Sequence, residues 1–272
     1  MRKTGIYPVM LCCIVLFTAA CKKAVKTQED KVYSRHLQRH VQLTIITTPM
    51  PDDKTTMNLL LCNNGNEFES LQLQQIIDSL YDKKEIRPLT IVGIHGNDAT
   101  EYGMGGLDLP GDKTDKPGKY NEFVMRELYP FVKKKTGIRS FRSVVVCGTS
   151  RNGINAIDMA WNNADRIQKV GLFSGAFDYA DKYRVPGDDS IPLVLEKLRV
   201  SRKRPKLQYW FYAANNADSL PYQHTQMLID ILDKKNITGT GDIQFIADPL
   251  GTNDITSWRK KLPAFITWAF GK

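Results

Sequence analysis

Apolar residues in this chain fall into short unbroken runs, and between the runs they recur at a helical period. "MNLLLC" (57–62), "LTIVGI" (89–94) and Val144–Val146 are continuous enough to be buried strands, and "KVGLFSGAF" (169–177) and "KLQYWFYAA" (206–214) also read as strands. "VQLTIIT" (41–47) alternates like a half-exposed strand, and "DIQFIAD" (242–248) is the last strand. Leu73, Ile76, Ile77 and Leu80 lie on one helix face. Tyr120, Val124, Leu128 and Phe131 mark a second face, closed near Gly137. Further helices are predicted from Ile154, Ile157 and Trp161, from "IPLVLEKL" (191–198), and from Met227, Leu228, Ile231 and Leu232. The last is "ITSWRKKLPAFITWAF" (255–270), with a bend expected at Pro263. Such alternation implies an α/β fold, a mostly parallel central sheet with helices on both faces. Ligands in such sheets bind beyond the carboxyl ends of the strands. Chain order places Asn63–Gly65, His95–Gly96, Ser150, Ser174, Asn215–Asp218 and Gly251–Asp254 along that edge.

Composition adds little to this picture and charge a little more. The 272 residues are 42% hydrophobic and 25% charged, ordinary material for one large domain. The formal charge is +9, with clusters at Lys133–Lys135, Arg202–Lys206 and Arg259–Lys261. These read as a solvated face and as cations near helix C-termini, not as a nucleic-acid site. No zinc spacing, Walker loop or internal repeat is visible, and no metal or organic cofactor is implied. The N-terminus does change the picture. Arg2-Lys3 precede an uncharged apolar stretch, Gly5–Ala20, too short and badly flanked for a membrane span. It ends in Thr18-Ala19-Ala20-Cys21, which resembles a bacterial lipobox with threonine in place of the usual leucine. The resemblance implies a signal peptide over 1–20, acylation of Cys21, and a lipid anchor in the bacterial cell envelope. A plain secretory leader is the alternative. A tether and lead-in segment is then expected over 21–39, and the folded domain over 40–272. Cys62 and Cys147 remain after cleavage; buried thiols are the reading, a pair in an exported protein the alternative.

Five segments carry a more specific likeness: "IVGIHGNDATEYG", "YNEFVMRELYPFV", "VVVCGTSRNG", "VGLFSGAF" and the tail "GTNDITSWRKKLPAFITWAF". In order and spacing they resemble the esterase branch of the α/β-hydrolases. That branch includes enterochelin esterases, feruloyl esterases, S-formylglutathione hydrolases and mycolyltransferases. The likeness runs from about residue 40 to the end. It implies an α/β-hydrolase fold with Ser150 at the nucleophile position, on the turn between a strand and a helix. The backbone N–H of Arg151 would be one oxyanion donor, and Asn64 or Gly65 would supply the second. Asp218 is the best match to the acid position, with Asn215 and Asn216 as rivals. The histidine position, ahead of Trp258, is occupied by Asn253.

An amide cannot replace an imidazole as a base, because it has no useful proton affinity near neutral pH. Loss of the base in a serine triad costs about 10⁶ in turnover. Only His36, His40, His95 and His224 exist, and none follows residue 224. His36 and His40 read as surface residues. His95 and His224, with Glu101 and Tyr102, are candidates for the pocket rim. Asn152 also replaces the last glycine of the G-x-S-x-G pattern, so a relaxed turn is expected. Trp210, Tyr212 and Trp258 read as core. The leading expectation is a catalytically degenerate member that binds a small ester-like, phenolic, glycan or siderophore-type ligand, or a partner protein. A working serine carboxylesterase with His224 or His95 as an unconventional base is the alternative. A structural envelope lipoprotein is the third reading.

Overall fold

The computed structural model describes residues 24–96, 118–178, 191–215 and 219–272. Eight strands form one sheet: β1 (Lys26–Ser34), β2 (Arg39–Thr47), β3 (Asn58–Cys62), β4 (Leu89–Ile94), β5 (Val144–Thr149), β6 (Lys169–Phe173), β7 (Gln208–Ala214) and β8 (Ile243–Asp248). Their order is β1-β2-β4-β3-β5-β6-β7-β8. β2 is antiparallel to both β1 and β4, and every pairing from β4 to β8 is parallel.

The helices are α1 (Leu73–Asp82), α2 (Lys119–Glu122), α3 (Tyr129–Thr136), α4 (Ser150–Asn162), α5 (Leu193–Val200), α6 (Leu220–Lys234) and α7 (Ile255–Phe270). α2 and α3 are not one regular helix as their apolar face suggests. Phe123–Leu128 between them forms a π-helical segment. Pro130 stands at the start of α3, where its missing N–H removes one regular helical bond.

The buried side chains divide by strand parity, as a pleated sheet requires. Leu59, Leu61, Val144, Val146, Val170, Leu172, Tyr209 and Phe211 pack with residues of α3 to α6. Leu60, Cys62, Val145, Cys147, Phe173, Trp210 and Tyr212 pack on the other face with α1 and α7. Trp210 and Tyr212 are fully buried core residues and Trp258 is nearly so. Cys62 and Cys147 are register partners on β3 and β5. Both are free thiols, their sulfurs 3.1 Å apart in the core. Burial, ahead of the neighbouring thiol, pushes the Cys62 pKa well up.

The segment expected to be tether and lead-in, 21–39, requires a correction. From Lys26 it is already sheet, and Val25 is buried in the core that holds α1 and α7. The strand escaped notice because "KTQEDKVYS" is polar on both faces, as suits an edge. Residues 1–23, including the leader and Cys21, lie outside the described residues.

Candidate active site

Ser150 begins α4 directly at the end of β5, with φ of 48°. A non-glycine residue in the left-handed region is strained, and a nucleophile turn needs that strain to lift its hydroxyl above the sheet. The expectation of a relaxed turn is therefore wrong. The close contacts fall at Gly148 and Gly153 rather than at residue 152. A Cβ on Gly148 would stand 2.3 Å from the Asn152 carbonyl oxygen, and one on Gly153 would stand 2.1 Å from Leu172 Cδ1. Asn152 itself is only half-buried, so its side chain is accommodated.

β3 delivers Asn63 and Asn64 beside this turn. The Thr149 N–H donates to Asn64 Oδ1 at 3.0 Å, and Asn64 Nδ2 donates to the Thr149 hydroxyl. Asn64 Nδ2 and Thr149 Oγ1 also donate to Glu67 Oε2, at 3.0 and 3.1 Å. Glu67 is a half-buried carboxylate next to the turn that sequence reasoning missed. Burial raises its pKa, against the two hydrogen bonds, which lower it. Its only signal was its place two residues beyond the predicted oxyanion loop. The Tyr120 hydroxyl donates to Asn63 Oδ1 at 2.8 Å and holds that loop from the other side. Asn64 and Gly65 open a short 3₁₀ turn, and Arg151 lies in the first turn of α4. First turns are where a helix presents N–H donors that its own ladder does not use, which is the kind of group an oxyanion site needs.

Asn253 sits just before α7, whose N-cap is Asp254, with Trp258 in the following turn. Its Oδ1 accepts from the Ser174 hydroxyl at 2.7 Å and from the Ala214 N–H at 2.9 Å. Its Nδ2 donates to Ser219 Oγ at 3.0 Å. Ser174, with φ of 51°, also accepts from Trp258 Nε1 at 3.0 Å. One amide thus ties together the ends of β6 and β7, the N-cap of α6 and, through Ser174, the start of α7.

The two rim histidines do not converge on Ser150. β3 lies between β4, which carries His95, and β5. The His95 Nε2 is 2.7 Å from Thr44 Oγ1 and 3.9 Å from Glu29 Oε2, so its ring is turned toward β2 and β1. It borders a hollow of about 280 Å³ with Thr27, Glu29, Thr44, Glu69 and Gly65. Burial lowers the His95 pKa, against the pull of Glu29. His224 lies in the first half of α6, buried edge-on against Phe177 with ring centroids 6.4 Å apart. Among the described residues no hydrogen bond joins Ser150 to either ring. Glu101 and Tyr102 lie outside the described residues, as do Asp218 and Asn216. Asn215 is exposed at the end of β7, its N–H donating to the Asp248 carbonyl at 2.8 Å. Among the described residues no three His, Cys, Asp or Glu side chains gather as a metal site would need.

Against known proteins, the family described as "Putative esterase" matches residues 34–267. No curated protein matches the chain. Among solved structures, the enterobactin esterase of Shigella flexneri superposes with a TM-score of 0.72 at 20% identity. That match covers 92% of this chain and 61% of the Shigella enzyme, so this chain spans less than two thirds of that protein. A ferulic acid esterase superposes with a TM-score of 0.69 at 16% identity, over 91% of this chain and 98% of its own. A fluorophosphonate-binding serine hydrolase of Staphylococcus aureus does so with a TM-score of 0.62 at 16% identity, over 92% and 100%.

Proposed function

The chain belongs to this esterase family and has the α/β-hydrolase fold, and we propose that it is a catalytically degenerate member that binds a ligand at the strand-end edge. The observation behind this reading is the Asn253 amide. It stands where the family resemblance expects histidine, and its bonds go to Ser174, Ala214 and Ser219. An amide takes no proton from an attacking alcohol, and this one is turned toward the frame of the site. Without a base, a serine triad keeps about 10³–10⁴ over water from its oxyanion hole and binding alone.

The ligand proposed is a small ester-like, phenolic, glycan or siderophore-type molecule, or a partner protein, and the likeness to an enterobactin esterase and a ferulic acid esterase supports an ester-like or phenolic one. In this reading Arg151 and Asn64 or Gly65 would hold its carbonyl oxygen, and Asp218 would keep the acid position. Acylation of Cys21 would hold the protein at the bacterial cell envelope.

One observation favours a working carboxylesterase instead: the strained turn at Ser150 is kept. His224 is then the better base, since the ring of His95 is engaged with Thr44. A fluorophosphonate probe separates the two readings. The degenerate reading expects no labelling of the purified chain above that of Ser150→Ala. Rapid labelling that Ser150→Ala abolishes would refute it.

A further inference from the structure

Charge is divided between the two ends of the sheet. Six connections feed the starts of β3 to β8: residues 48–57, 83–88, 137–143, 163–168, 201–207 and 235–242. Together they hold 12 Lys and Arg against 5 Asp and Glu. The last turn of α3 adds Lys133, Lys134 and Lys135 at the same edge. The described connections at the site edge are 35–38, 63–72, 95–96, 174–178, 191–192, 215, 219 and 249–254. They hold 1 Lys or Arg against 4 Asp and Glu. The formal charge of +9 is therefore not an even coat. It is a basic base beneath an acidic site edge.

The base is also exposed and unevenly shaped. Lys54, Lys84, Arg142, Arg166, Arg204 and Lys234, one before each parallel strand, are all exposed. A hollow of about 630 Å³ opens there among Arg204, Lys206, Gln208, Asn236 and Thr238, with Asp242 as its one acid.

A second, independent observation concerns where the chain arrives. Lys26 pairs with Thr47, and Thr47 pairs with Thr90 at the start of β4. β1 therefore begins at the basic edge, with Val25 packed in the core beneath it. From Cys21 to Val25 the chain can reach about 14 Å when fully extended. Electrostatic screening at physiological salt has a length of about 8 Å. If Cys21 is acylated, as proposed above, so short a tether holds the base close to the lipid surface. The site edge is then directed away from it.

From these observations we infer that the basic edge is a docking face for a bilayer of anionic phospholipids. The polarised charge orients the molecule as a dipole, base toward the negative surface and acidic site edge toward solvent. Fixed orientation would leave the pocket open to ligands arriving from the aqueous side.

The test uses the chain from Lys22 onward, since the whole sheet and both cores are built from later residues. It is sedimented with phosphatidylcholine vesicles, with and without about a third phosphatidylglycerol, at low salt. The expected result is at least about tenfold stronger partitioning onto the anionic vesicles, lost in about 0.5 M salt. Replacing Arg202, Lys203, Arg204 and Lys206 together by Gln should abolish that preference. Replacing Arg35, Lys119, Arg126 and Lys260, which remove equal charge away from the base, should leave most of it. Equal partitioning onto both vesicle types would overturn the inference. So would an equal loss in the two variants, or retention on duplex DNA without vesicle binding. Mass analysis of Cys21 in the full chain reads acylation separately, so failure of the anchor is distinguishable from failure of the docking face.

Discussion

At the scale of single residues, the amide of Asn253 should be a structural fastening. Asn253→Ala removes bonds to Ser174, Ala214 and Ser219. A net value of about 1 kcal/mol per bond gives an expected loss near 2–3 kcal/mol in urea unfolding. A loss within error would mean that the amide only fills space. Asp158 makes a second prediction. It is buried in α4, accepting from Asn121 Nδ2 and Asn162 Nδ2 at 2.8 Å each. Burial raises its pKa to about 7, against those bonds and Lys203, which lower it. The folded chain thus binds a proton that the unfolded chain has released, between an ordinary Asp value of about 4 and about 7. Stability should be greatest at the acid end of that window and fall as pH rises through it. Melting temperatures across the window should decline in the native chain, with a shallower slope in Asp158→Asn. Identical slopes would show that Asp158 is ionised in the fold.

At the scale of elements, the turn between β5 and α4 depends on two glycines that differ in what they face. Gly148 faces the backbone of Asn152, which cannot move without moving α4, whereas Gly153 faces the end of the Leu172 side chain. Gly148→Ala should therefore cost more than Gly153→Ala, about 3 kcal/mol or more against 1–2, by chemical denaturation. The reverse order would place the close contact elsewhere. The central strands were legible because Leu59–Leu61 and Val144–Val146 are unbroken apolar runs that only two-sided burial explains. β1 was not, since its register is imposed by β2 and its residues bury almost nothing. The π segment was not either: Tyr120, Val124 and Leu128 keep a helical spacing whichever hydrogen bonds close beneath them.

At the scale of the whole molecule, the site was legible as a set of strand ends but not as a set of bonds. Ser150, Asn64 and Asn253 lie just past strand ends, as chain order implies. That Asn253 faces Ser174 and Ser219, and that Glu67 buttresses Asn64 and Thr149, depends on side-chain directions no spacing encodes. At this scale the proposed loss of the base can be tested by supplying one. The direct measurement is Ser150-dependent turnover of p-nitrophenyl butyrate by the native chain, by Ser150→Ala and by Asn253→His. The account predicts that the native chain and Ser150→Ala are alike, and that Asn253→His is faster by about 10² or more. Native turnover that is brisk, lost in Ser150→Ala and not raised by Asn253→His would contradict it.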